Sequence, residues 1–426
     1  MIKRRTLLAL PGAVVVASGL QACGGGGSSK SGNVRLVNAT STDSVDLRVA
    51  SANIITGVAK GAVSGYVSVG EGTTAFQIGQ TGVVTTLLTQ SNAVSNGVSF
   101  TMVAYNTNST LNAAYFADNE AAPTSGTAKF RLFNSALEAG ALDVYVIATA
   151  ADPVGSTPIN TNVAGQRVGG YSQVGAGTWR VVVTGNGDPT DVRLDIPSVT
   201  LADQQIATLV VTATDSGVLV NGLLLSQAGT VSAFAGSSVR LRGVANLTTN
   251  APINVGVGGN TIFAATGSPS VTNYVTVPAD LSTLTVTNAT LTGLALTPAA
   301  GTDLTLLVYG TSAAPIVKLL VDDNKLPTST SKAKIRLVNV MNGQSNTDSI
   351  SMEADFSLVA SSVTLGSSSA PAQLTPTATM ALKVSAPSVT TPLWSQADVG
   401  LVANHVYTAF LLGATGAAQG VLRQDR

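Results

Sequence analysis

The chain has 426 residues, too many for one hydrophobic core, so two to four domains of ordinary size are expected. Only 10% of residues are charged and 43 are Gly, yet 45% are hydrophobic, which excludes a disordered low-complexity chain and leaves material for real cores. Basic and acidic residues balance at 22 each, and Lys3, Arg4 and Arg5 lie in an acid-free start; residues 23–426 are therefore weakly acidic, and nucleic acid is not an expected partner.

Met1 to Arg5 forms a short basic region, Thr6 to Leu20 is small and apolar, and Leu20-Gln21-Ala22-Cys23 closes the segment. Residues 1–22 read as a signal peptide. The apolar stretch is shorter than the ~20 residues of a spanning helix, and Pro11 and Gly12 interrupt it. Leu-x-Ala-Cys resembles the lipobox of bacterial lipoproteins, which implies that Cys23, the only cysteine, carries the lipid after cleavage. The run Gly24 to Ser29 continues as a flexible tether over residues 23–32. Lys3-Arg4-Arg5-Thr6-Leu7-Leu8 is similar to a twin-arginine export motif and equally to an ordinary basic start, and both readings stay open. Gly24 after the cysteine implies, by the same resemblance, delivery to the outer membrane.

From Asn33 onward the chain repeats. Val34-Arg35-Leu36-Val37-Asn38 returns as Phe130-Arg131-Leu132-Phe133-Asn134, as Val239-Arg240-Leu241-Arg242-Gly243 and as Ile335-Arg336-Leu337-Val338-Asn339. On this alignment Arg35, Arg131, Arg240 and Arg336 are equivalent, at spacings of 96, 109 and 96 residues. Similar junctions precede Arg131 and Arg336, so the four units read as a duplicated pair over residues 33–127, 128–236, 237–331 and 332–426. Alternating strands follow each arginine, as in Val45-Asp46-Leu47-Arg48-Val49 and Leu142-Asp143-Val144-Tyr145-Val146. Tyr66 to Gly72, Tyr171 to Gly177 and Tyr274 to Asp280 then mark a turn, and an apolar strand pair closes each unit. Six or seven strands in about 100 residues predict an all-β chain of tandem immunoglobulin-like β-sandwich units.

The arginine strand, the Asp143 to Val146 strand and the Tyr171 to Gly177 turn resemble those of the bacterial family known as domain of unknown function 4397. The resemblance covers most of the chain from Asn33, although the third unit has Gly243 where the motif has Asn, and the third and fourth depart at the turn. These motifs imply a fold and no chemistry.

Candidate chemical groups are few. His405, the only histidine, has neither a cysteine partner for zinc nor a nucleophile turn, and reads as a turn or strand-edge residue. The four arginines offer a repeated anion clamp, or else sit exposed on the outer strand face or pair with acids such as Asp46 or Asp143; the second reading is preferred. Asp43 with Asp46, and Asp322 with Asp323, lack the alternating carboxylates of a calcium loop and read as junction turns. Trp179 and Trp394 are glycan platforms or core residues, the core being preferred. No cofactor, metal or catalytic residue is expected, and the chain is not read as an enzyme. The expected role is a membrane-anchored binding or adhesion module for an envelope polymer, glycan or protein partner, with a structural spacer as the alternative and a carboxylate hydrolase more distant.

Overall fold

The structure is a computed structural model that describes residues 30–107, 110–214, 218–249, 251–344 and 348–426. Thirty-five strands and one 3-10 turn, Leu137–Ala139, make up the regular structure among these residues. They form eight sheets, two to each of four tandem β-sandwiches. None of the described helices is long and apolar enough to cross a membrane.

The first sandwich sets the pattern. Its arginine strand, Ser31–Ala39, lies between the turn strand Val67–Gly70 and the closing strand Ser99–Thr107, which in turn pairs with the final strand Thr110–Ala117. The arginine and closing strands run parallel, with Arg35 opposite Thr101. A parallel pair needs a long crossover, and here the crossover is the whole second sheet: Ala52–Ala59, Ser44–Val49, Gly72–Gln80 and Leu88–Val94 in spatial order. The unit therefore has eight strands where the sequence suggested six or seven, because the turn tyrosine introduces a short strand of its own.

Alternation decides which side chains meet. Val34 and Leu36 face inward onto Leu47, Phe76, Ile78 and Met102 in a core between the two sheets. Asn38 faces the same way, fully buried, and its amide donates to the carbonyls of Thr42 and Val58, tying the arginine strand to the second sheet. Asn134 does the same with Gly140 and Val163, and Asn339 with Gln344 and Val363.

The opposite face of the arginine strand is also covered. Val37, Ala39, Val103 and Tyr105 of the first sandwich pack against Phe133, Val210, Leu223 and Leu225 of the second. Tyr105 and Phe116 both meet the Phe133 ring edge-on. Val244, Leu307 and Tyr309 of the third sandwich meet Val338, Val340, Phe410 and Leu412 of the fourth in the same manner. The sandwiches are thus joined back to back in two pairs, each pair holding three layers of apolar side chains between its four sheets.

Back-to-back packing makes the pair, not the single sandwich, the stable unit. Residues 30–236 should melt in one cooperative transition, whereas residues 30–122 alone would leave Val37, Val103 and Tyr105 in water, bind a hydrophobic dye and aggregate. A sharp, monomeric melt from residues 30–122 would show that the second layer is dispensable.

Candidate functional site

The four repeat arginines lie on the outer face of their strands, at the centre of the two back-to-back interfaces. Each donates its Nε to a threonine directly opposite on the closing strand: Arg35 to Thr101 at 2.8 Å, Arg131 to Thr208 at 3.0 Å, Arg242 to Thr305 at 2.8 Å and Arg336 to Thr408 at 3.0 Å. The third arginine of the set is therefore Arg242, and the alignment on Arg240 is corrected by two residues. Strand period 2 explains the slip, since a shift of two keeps the same face and the same apolar neighbours. Arg240 lies two residues earlier on that face and pairs with Asp303 at 3.1 Å. With the register corrected, Ala245 takes the place of the inward asparagine, while Asn246 points outward and donates to Val340 and Gly413 of the fourth sandwich.

Sequence reasoning placed these arginines in solvent or opposite Asp46 and Asp143. They do occupy the outer face, but that face is not solvated, and their acid partners are not Asp46 or Asp143. Arg35 and Arg242 are 2% and 1% exposed because their face is an interface. Asp46 instead accepts from the Gly57 amide and the Thr81 hydroxyl and lies 3.5 Å from Arg48. Asp143 is held by the amides of Asn162 and Gly187.

The true acid partners stand at the ends of the final strands. Asp118 accepts from Thr101 and Tyr66 at 2.6 and 2.7 Å and lies 3.8 Å from Arg35. Asp322 accepts from Thr305 and Tyr274, each at 2.5 Å. Asp425 accepts from Thr408.

In the second pair the acids are exchanged between sandwiches. Arg242 of the third forms its short contact with Asp425 of the fourth, and Arg336 of the fourth reaches Asp322 of the third at 2.6 Å, an ion pair not aligned as a hydrogen bond. Arg242 also lies 3.6 Å from Asp322, so three ion pairs link two cations and two anions in a buried chain of no net charge. Although burial itself opposes charging Arg242, the anions around it raise its pKa on balance.

In the first pair the second sandwich has Gln227 where the others have the acid. There Arg35 donates instead to the carbonyls of Gly229 and Ser226, at 2.5 and 3.0 Å. Arg131 lies over the rings of Phe116 and Tyr171, 5.2 and 4.1 Å from their centroids. Burial lowers its pKa.

The tyrosines of the turn motif, which the sequence marked only as turn residues, form the lids of these clusters. Tyr66 covers Arg35, Tyr171 covers Arg131 and Tyr274 covers both Arg240 and Arg242, with guanidinium carbons 4.1 to 4.9 Å from the ring centroids. Burial, with Asp118 accepting its hydrogen bond, pushes the Tyr66 hydroxyl up to about 12.

The remaining candidates fall apart in space. His405 sits just before the closing strand Val406–Ala414, its Nδ1 2.8 Å from the Ala403 carbonyl. Asp43 is exposed, while Asp322 is enclosed in the buried ion-pair chain and Asp323 pairs with Lys334. Among the described residues no group of three His, Cys, Asp or Glu could hold a metal. Trp179 and Trp394 pack half-buried against their sandwich cores, Trp179 donating to the Gly175 carbonyl. Cys23 and residues 1–22, expected to be a signal peptide, lie outside the described residues.

A family model described as "Domain of unknown function (DUF4397)" matches residues 32–145 and 237–348, together just over half of the chain. Each match runs through one sandwich and past the arginine strand of its back-to-back partner. No curated protein matches. Among solved structures, the Bacillus anthracis TIE protein is 7% identical, with a TM-score of 0.15 over 89% of this chain and 68% of its own. A protein described as "Putative cell adhesion protein from Parabacteroides distasonis ATCC 8503" is 11% identical, with a TM-score of 0.17 over 71% of this chain and 99% of its own. Likenesses this slight carry no functional information.

Replacing Arg242 by Ala would leave Asp425 buried without its cation and Asp322 with Arg336 alone, and should cost about 3–5 kcal/mol. Exposed Arg167, replaced in the same way, should change stability by less than ~0.5 kcal/mol. Urea melts of the two variants separate these outcomes. Because the folded pKa of Tyr66 lies above its ordinary value of 10, its contribution is intact below pH 10 and is lost as the pH rises from 10 through 12. Tyr66→Phe should flatten part of that alkaline fall, read by melting temperature across the range.

Proposed function

The chain belongs to the family of domain of unknown function DUF4397, and from that premise we propose that it is a lipid-anchored, non-catalytic binding module of the cell envelope, meeting a polymer, glycan or protein partner. The repeated polar groups of this chain are spent internally: arginine, threonine, aspartate and tyrosine hold sandwich to sandwich. Contact with a partner then falls to loop tips and strand edges.

One tip carries the reading. Asp355 and Phe356 form a two-residue hairpin turn between paired Ala354 and Ser357, with φ of 44° and 66°, and Phe356 is 96% exposed. The corresponding turns of the first and third sandwiches use Ala50-Ser51 and Gly258-Gly259 at similar positive φ. Small or glycine residues suit that conformation, whereas a bulky ring there is disfavoured and gains nothing from burial within the chain. An exposed aromatic in a disfavoured backbone is what a contact residue requires and what a passive spacer does not.

Two measurements test the proposal. Cys23→Ser should move the protein from the membrane fraction to the soluble fraction, and unchanged fractionation would sink the anchoring. Residues 30–426 should bind a member of an array of envelope polymers, glycans and surface proteins. Phe356→Gly should weaken that binding while leaving stability equal or higher. An intact protein that binds nothing would favour the spacer.

A further inference from the structure

The third sandwich lacks a strand that its sisters possess. In the first, second and fourth, a fourth strand of the second sheet is present: Leu88–Val94, Asp188–Leu201 and Trp394–Val399. In the third, the second sheet ends at the two-residue strand Thr285–Val286, and residues 287–302 form no strand. A groove of about 740 Å³ is left, walled by Leu294, Ala295 and Pro298 on one side and by Leu304, Leu319 and Val321 on the other.

Beside the groove runs an open edge. The final strand Pro315–Asp322 pairs with Asp303–Gly310 and, among the described residues, with no strand on its other side. Ile316 and Val321 on it are 49% and 69% exposed. Unpaired edges are templates for strand addition, and Lys318 in the middle of this one selects which strand can add. The molecule contains the completed version: the matching edge of the second sandwich, Val220–Ser226, carries an added antiparallel strand, Val231–Phe234.

We infer that the Pro315–Asp322 edge binds an extended segment of another polypeptide as an added antiparallel strand, with an apolar side chain entering the groove and an acidic one opposite Lys318. The register follows from the sister. Leu224 pairs with Leu209 as Leu319 pairs with Leu306, so Leu224 corresponds to Leu319 and Leu223 to Lys318. Ser232 lies opposite Leu224 on the inward face, and Ala233 opposite Leu223 on the outward face. A partner therefore places an apolar residue at the first of these positions, over Leu319, and a carboxylate at the second, across from exposed Lys318. A second copy using the same edge would bring Lys318 beside its own counterpart, which like charge opposes.

The inference rests on the binding-module reading and narrows its partner to a peptide strand. The probe is a synthetic peptide of residues 228–236 bearing Ser232→Leu and Ala233→Glu, added to the full described chain. It should bind at about 10–100 μM, slow amide exchange at 315–322, and bind about tenfold more tightly than the same peptide with Ala233→Lys. Lys318→Glu, at an exposed position, should invert that order without changing the melt. Absence of binding, an order unmoved by Lys318→Glu, or a dimer whose exchange protection maps to 315–322 would each overturn the inference. A glycan or polymer ligand found by the array while the peptides fail would overturn this inference alone and leave the binding module standing.

Discussion

Two-sided burial of the arginine strand is the constraint on which the rest of the molecule depends. A strand in an ordinary sandwich faces a core on one side and water on the other. Here water is replaced by a sister sandwich, and a polar side chain in the middle of the outer face survives only if its charge is balanced or most of its donors are met. The guanidinium suits the place because its planar fork spans from its own closing strand to the neighbouring sandwich. Threonine opposite, aspartate at the end of the final strand and tyrosine from the turn supply the rest of the shell.

The two pairs solve the same problem differently. Between the third and fourth sandwiches the charges are exchanged in a chain of three ion pairs with no net charge. Between the first and second, where Gln227 stands in place of the acid, carbonyls and aromatic rings receive the guanidinium groups. Buried charge networks are weak sources of net stability but severe penalties when broken. Their effect here is to fix which sandwich face meets which, a matter of register that apolar contacts alone would leave loosely specified.

The sandwiches themselves were legible in the sequence, because a period of two with turn residues between runs survives any context. Trp179, Trp394 and His405 also occupy the settings their neighbours suggested. The function of the arginines was not legible. One polar residue per apolar strand is the pattern of a solvated face, and nothing in Val34 to Asn38 states that a second sandwich covers it. Arg240 was preferred over Arg242 for a related reason, since both sit on one face and only the threonine opposite distinguishes them. The Phe356 tip and the empty edge of the third sandwich escaped because they depend on backbone sign and on a strand that is missing.

The added strand Val231–Phe234 has a further effect on how far the molecule can reach. In the first and third sandwiches the chain enters and leaves at one end: Val34 lies beside Phe100 and Phe100 beside Ala117, and likewise Leu241 beside Leu304 and Leu304 beside Val321. Each next sandwich thus begins where the last began, and doubling a sandwich adds breadth rather than height. In the second, the extra strand carries the chain back to the opposite end before the third sandwich starts. That single return is where the path changes ends, so these four units advance much less than four modules strung end to end.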